Sequence, residues 1–95
     1  MTPPDRNNIL QNLKSMIRIP SINPFGVYDL ASPAEREMAN YFENCLLGLG
    51  LQTNSHFVSN GRKNVWGILK GTGEGPTILL AGHLDTVGVE GYKDP

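Results

Sequence analysis

Apolar positions fall into two helical stripes, then two strand-like stretches, then one unbroken apolar run. Ile9, Leu13, Met16 and Ile17 recur at i, i+4, i+7 and i+8, which puts them on one face of a helix. Thr2-Pro3-Pro4-Asp5 supplies its start, with Thr2 as cap, Pro3 in the first turn and Asp5 complementing the dipole. Pro20 stops it, because the residue before a proline is pushed towards extended geometry. Residues 21–31 show no period, and Asn23-Pro24 with Gly26 marks a loop. A second start follows at Ser32-Pro33-Ala34-Glu35, a capping box with proline at the first helical position. Met38, Phe42, Cys45, Leu46 and Leu49 form the apolar stripe of that helix, and Gly50 is a natural left-handed stop.

Leu51, Thr53, Ser55 and Phe57 alternate with Gln52, Asn54 and His56, a strand pattern of low contrast. Ser59-Asn60-Gly61 is a turn in which Asn60-Gly61 makes a good hairpin corner. Asn64 to Lys70 reads as the returning strand, through Val65, Trp66, Ile68 and Leu69, with Trp66 expected to pack the sheet against a helix. After the connector Gly71-Thr72-Gly73-Glu74-Gly75-Pro76, the run from Ile78 to Ala81 contains no polar residue. That predicts a third strand, buried on both faces as in a parallel sheet covered by helices. Two helices followed by three strands define an α/β chain with an incomplete sheet.

Composition narrows the function. A net charge of −1 with 18% charged residues offers no field for nucleic acid or an anionic membrane surface. The single cysteine excludes an internal disulfide and fits a reducing compartment, and its place in the second apolar stripe makes Cys45 core, not nucleophile. Asp5, Arg6, Asn7 and Asn8 stand where a signal peptide needs its apolar region, and no run approaches the roughly twenty apolar residues that span a bilayer. A soluble cytoplasmic protein is the expectation.

The chemistry sits where the third strand ends. In open α/β sheets ligand sites form just beyond the carboxyl ends of the strands, and His83 and Asp85 stand there. In extended chain, positions i and i+2 project to the same side, so an imidazole and a carboxylate share one face. That suits a metal site, or a histidine held in one tautomer. The glycines at 71, 73 and 75 lead into Pro76 and a strand rather than a helix N-terminus, so they read as a connector and not a phosphate loop. His56 reads as an outward residue of an edge strand; joining it to His83 and Asp85 as an iron-type ligand set is nowhere demanded by the spacing.

The longer phrase Leu79-Leu80-Ala81-Gly82-His83-Leu84-Asp85-Thr86-Val87 closely resembles the first metal-site motif of the zinc-dependent amidohydrolases. That family includes acetylornithine deacetylase, succinyl-diaminopimelate desuccinylase, aminoacylase and the glutamate carboxypeptidases. Gly88-Val89-Glu90-Gly91 looks most like the acetylornithine deacetylase branch. Ile17-Arg18-Ile19-Pro20-Ser21-Ile22-Asn23-Pro24 and Gly61-Arg62-Lys63-Asn64-Val65 stand where the family places similar stretches. The resemblance implies a three-layer α/β/α zinc-peptidase-like catalytic domain, of which residues 1–95 match the N-terminal portion. It implies His83 as ligand of one of two zinc ions, with cobalt able to substitute. Asp85 is then the active-site carboxylate behind that histidine. It further implies hydrolysis of an amide bond in an N-acyl amino acid or small peptide, by a homodimeric enzyme whose other ligands and glutamate base lie beyond Pro95. On that reading the chain is an inactive N-terminal fragment. Two other readings remain: a small non-catalytic module binding a partner or one metal through its sheet edge, and a nucleotide binder using the glycine connector.

Overall fold

The computed structural model describes residues 3–23, 35–59, 61–89 and 91–93. Among these residues there are two helices and one two-stranded antiparallel sheet, an α/β mix with an incomplete sheet. The expectations placed on Thr2, on the loop at Pro24 and Gly26, on Ser32 to Ala34, on Asn60 and on Glu90 lie outside the described residues.

Helix α1 runs Arg6–Ile17 and is capped by Asp5, whose carboxylate accepts from the Asn7 N–H at 2.9 Å. The helix thus starts later than the Thr2-Pro3 pattern predicts. Asp5 is a strong cap in its own right, and its use leaves Pro3 and Pro4 before the helix. At the other end the Ile19 N–H reaches the Met16 carbonyl, and Pro20, lacking an N–H, cannot continue the series. The predicted apolar face forms but is not covered: Ile9, Leu13 and Ile17 are all exposed.

Helix α2, Arg36–Gly48, follows Glu35. Its C-terminus closes as expected at Gly50, which takes φ +80°. The Gly50 N–H bonds the Leu47 carbonyl and the Leu51 N–H bonds the Leu46 carbonyl. This paired arrangement satisfies two carbonyls the helix leaves open, and the φ favours a residue without Cβ.

Strands β1, Gln52–Ser59, and β2, Arg62–Ile68, pair from Gln52↔Ile68 to Phe57↔Lys63 and then shift by one residue before Ser59↔Arg62. Val58 is the extra residue, a bulge beside the turn, and Gly61 takes φ +78° there. One face of the hairpin lies against α2. Met38 and Ala39 are buried, Lys63 reaches Glu43 of α2 at 3.3 Å, and the Lys63 ammonium stands 5.8 Å from the Phe57 ring centre. Glu35 does not use its carboxylate as a cap; it accepts from Arg62 Nε at 2.5 Å, tying the start of α2 to β2. Trp66 alternates with Val65 and Gly67, lies on the face away from α2 and is 43% exposed, so it does not pack the sheet against that helix.

At Gly67 the sheet faces Leu46 of α2 and Leu51 just after the helix. A Cβ there would stand 3.1 Å from Leu51 Cδ1 and 3.2 Å from Leu46 Cδ1. Gly67→Val should therefore lower stability by about 1–3 kcal/mol through overpacking. A urea melt followed by circular dichroism checks this; an unchanged midpoint would mean α2 can lift off the hairpin freely.

The third strand does not form. Ile78, Leu79 and Leu80 are 79–91% exposed, and Thr77 to Ala81 have no backbone hydrogen-bond partner among the described residues. A strand buried on both faces needs neighbours to take its backbone groups and layers to cover its side chains, and the described elements supply neither. The radius of gyration, 15.7 Å against about 12 Å for a compact domain of this length, reflects the same openness. No described helix is long and apolar enough to cross a membrane.

Candidate functional site

Although the third strand is absent, the chain just beyond it is anchored. Ile22 and Thr86 form an isolated parallel bridge that draws the segment after α1 alongside the His83 loop. The Thr86 N–H donates to the Ser21 carbonyl at 2.7 Å, and the Asn23 N–H donates to the Thr86 carbonyl at 2.9 Å. Ser21 is 1% exposed, and its hydroxyl donates to the Leu84 carbonyl at 2.6 Å. Pro20 ends the helix just where this pairing must begin.

Ser21→Ala removes a buried donor and leaves the Leu84 carbonyl unpaired, a loss of about 1–3 kcal/mol. Amide exchange at Thr86 and Asn23 should then quicken roughly 5- to 150-fold, because their protection comes from this bridge. Exchange at the wild-type rate would show that the hydroxyl contributes nothing to holding the loop.

His83 and Asp85 share a face, as their i, i+2 spacing predicts. His83 Nδ1 lies 2.8 Å from the Asp85 carbonyl oxygen and 3.1 Å from Asp85 Oδ1. Both neighbours are acceptors only, so in the neutral ring Nδ1 carries the hydrogen and Nε2 keeps its lone pair. The imidazole side chain is 83% exposed, and Nε2 has no partner among the described residues. The other carboxylate oxygen, Asp85 Oδ2, accepts from the Asn23 side-chain amide at 2.5 Å.

These contacts hold the Asp85 carboxyl below its ordinary range. The Asn23 hydrogen bond is the main cause, opposed by partial desolvation and helped by the backbone N–H of Asp85 and by His83. A depressed carboxylate contributes its stabilisation above the unfolded value and loses it as the pH falls through the folded one. The contribution of the Asp85 carboxylate is therefore present at neutral pH and is lost as the solution turns acid.

Sequence reasoning singled out His83 and Asp85 but gave Ser21 and Asn23 no part in the site. The only local signal was a Ser-x-Asn pair directly after a helix-stopping proline. Cys45 is half-buried in α2 and His56 is exposed on β1; neither joins His83. Gly71, Gly73 and Gly75 lie in exposed irregular chain with no helix following among the described residues, the arrangement of a connector. The described residues contain no group of three or more His, Cys, Asp or Glu able to hold a metal ion. What they offer a zinc ion is one donor atom of the right chemistry, the outward lone pair on His83 Nε2 with a carboxylate behind the ring.

The chain matches no family model, and no curated protein or solved structure is significantly similar to it.

Proposed function

We propose that this chain supplies the first metal ligand of a zinc-dependent amidohydrolase acting on N-acyl amino acids or small peptides. The observation that carries the reading is the state of His83. Its Nδ1 is committed to Asp85 and its Nε2 faces solvent with a free lone pair. Metal-binding histidines are held in this way, with the second ring nitrogen donating to a carboxylate or carbonyl that fixes the tautomer and raises ligand basicity.

A bound zinc pair supplies Lewis-acid polarisation of the amide carbonyl and acidification of the attacking water. His83 contributes Nε2 to one of those ions. Asp85 keeps the imidazole from rotating, and its negative charge offsets part of the cation's field on the ring. The Ile22–Thr86 bridge fixes where this loop stands. A catalytic zinc normally has three protein ligands and an open position, so the remaining ligands and the general base come from residues outside the described set. The three-layer zinc-peptidase fold and the homodimer belong to this proposal. So does the assignment of residues 1–95 to the front of the catalytic domain.

The test is hydrolysis of N-acetyl amino acids by the zinc-loaded product of the whole reading frame. Zinc-dependent release of a free amine is expected. A product that binds zinc and cleaves no such amide would overturn the substrate class; one that binds none would overturn the whole proposal.

A further inference from the structure

The His83 side chain is 83% exposed, so burial among the described residues does not hold its orientation. Whatever restraint it has comes through Nδ1, from the carbonyl and carboxylate of Asp85. A carboxylate is itself free to turn about its own bonds unless both oxygens are engaged. Asp85 Oδ1 faces His83, and Oδ2 accepts from Asn23 Nδ2 at 2.5 Å. Asn23 is anchored in turn, since its N–H donates to the Thr86 carbonyl at 2.9 Å, one residue beyond Asp85.

We propose that Asn23 is a positioning residue. Its side-chain amide holds Asp85 in the orientation that lets the other oxygen accept from His83 Nδ1, and so reinforces the Nδ1–H form that the Asp85 carbonyl, 2.8 Å away, also favours. The hydrogen-bonded chain runs Asn23–Asp85–His83 and joins the segment after α1 to the loop of the candidate ligand, with Asn23 and Asp85 62 positions apart. A carboxylate is acceptor-only, so the amide group must present its nitrogen here. An aspartate at position 23 would replace a donor with a repelling charge while keeping nearly the same shape.

The consequence for metal binding rests on the function proposed above; the hydrogen-bonded chain itself does not, and it can be read without metal. Nitrogen-15 NMR of the imidazoles in the metal-free chain, at a pH where the rings are neutral, reports the tautomer directly. His56, exposed on β1, serves as internal reference. Wild-type His83 is expected to be mainly Nδ1–H, with Asn23→Ala and Asn23→Asp each moving it partway towards the Nε2–H form expected of an exposed ring such as His56, the Asp85 carbonyl retaining the rest. Asp85→Ala should give the same mixture, and adding Asn23→Ala to it should change nothing further, because the Asn23 side-chain amide reaches His83 through the Asp85 carboxylate. Thr86 amide exchange reports whether the Ile22–Thr86 bridge survives; should Ala disturb it, Asn23→Ser takes its place. An unchanged tautomer in the Asn23 variants, or a further change on top of Asp85→Ala, would overturn the proposal.

Zinc is then added to the product of the whole reading frame. Loss of the Asn23 amide is expected to weaken zinc binding roughly 10- to 100-fold, as loss of a group behind a ligand does. If the tautomer responds to Asn23 but wild-type His83 never takes up zinc, the positioning role stands and the metal reading fails. If zinc binds at His83 and the tautomer ignores Asn23, the reverse holds.

Discussion

His83→Ala is expected to abolish zinc binding at one of two positions and to cut amide hydrolysis on the order of a thousandfold or more. Metal-derived charge stabilisation is worth several kcal/mol, and each 1.4 kcal/mol or so is a tenfold change in rate. The exposed Nε2 is the only atom of His83 free to bind a metal, and no other described His, Cys, Asp or Glu is grouped to replace it. Stability should hardly change, because the ring is exposed and fills no core space. That combination separates ligand loss from misfolding: an unchanged melt, one zinc fewer per chain, and almost no turnover. Near-wild-type turnover with full zinc content would remove His83 from the site.

Asp85→Asn keeps the shape of the side chain and removes its charge. The introduced amide would still find partners, yet one of its two ends becomes a donor. Either Asn23 or His83 then faces a donor where it needs an acceptor. Roughly 10- to 100-fold loss in metal affinity or rate is expected, with His83 still able to bind zinc. The effect should be smaller than that of His83→Ala and should not add fully to that of Asn23→Ala, since the three side chains form one hydrogen-bonded chain. Unchanged affinity and rate would reduce Asp85 to a loop residue.

The parts of this architecture that local chemistry controls were readable in the chain. The i, i+4 stripes of α1 and α2, the left-handed stop at Gly50 and the corner at Gly61 each depend on a few neighbouring residues. The His83–Asp85 contact likewise follows from two positions of spacing. What failed depended on partners. The run Ile78 to Ala81 is apolar enough for a buried strand, but apolar sequence does not create the neighbouring strands that would take its backbone groups, and here it is exposed. Asp5 caps α1, three residues later than the Thr2-Pro3 pattern suggested, because the chain holds two good cap residues close together. Trp66 was expected against a helix, although hydrophobicity alone does not say which face of the hairpin α2 covers; Gly67, by admitting Leu46 and Leu51, decides that. Glu35 looked like half of a capping box, and only the fold brings Arg62 close enough to bind its carboxylate. Ser21 and Asn23 were invisible as site residues for the same reason. Their partners lie more than sixty positions away, and the Ser-x-Asn pair after Pro20 does not say which residues those are.

The central claim, that His83 is a zinc ligand held from behind by Asp85, is tested most directly by an anomalous-scattering map at the zinc edge. The crystal would be of the zinc-loaded product of the whole reading frame. The expected result is a zinc peak about 2.0–2.1 Å from His83 Nε2, with Nδ1 still against Asp85. Zinc bound elsewhere with His83 unliganded, or zinc reached through Nδ1 with the Asp85 contact broken, would contradict it.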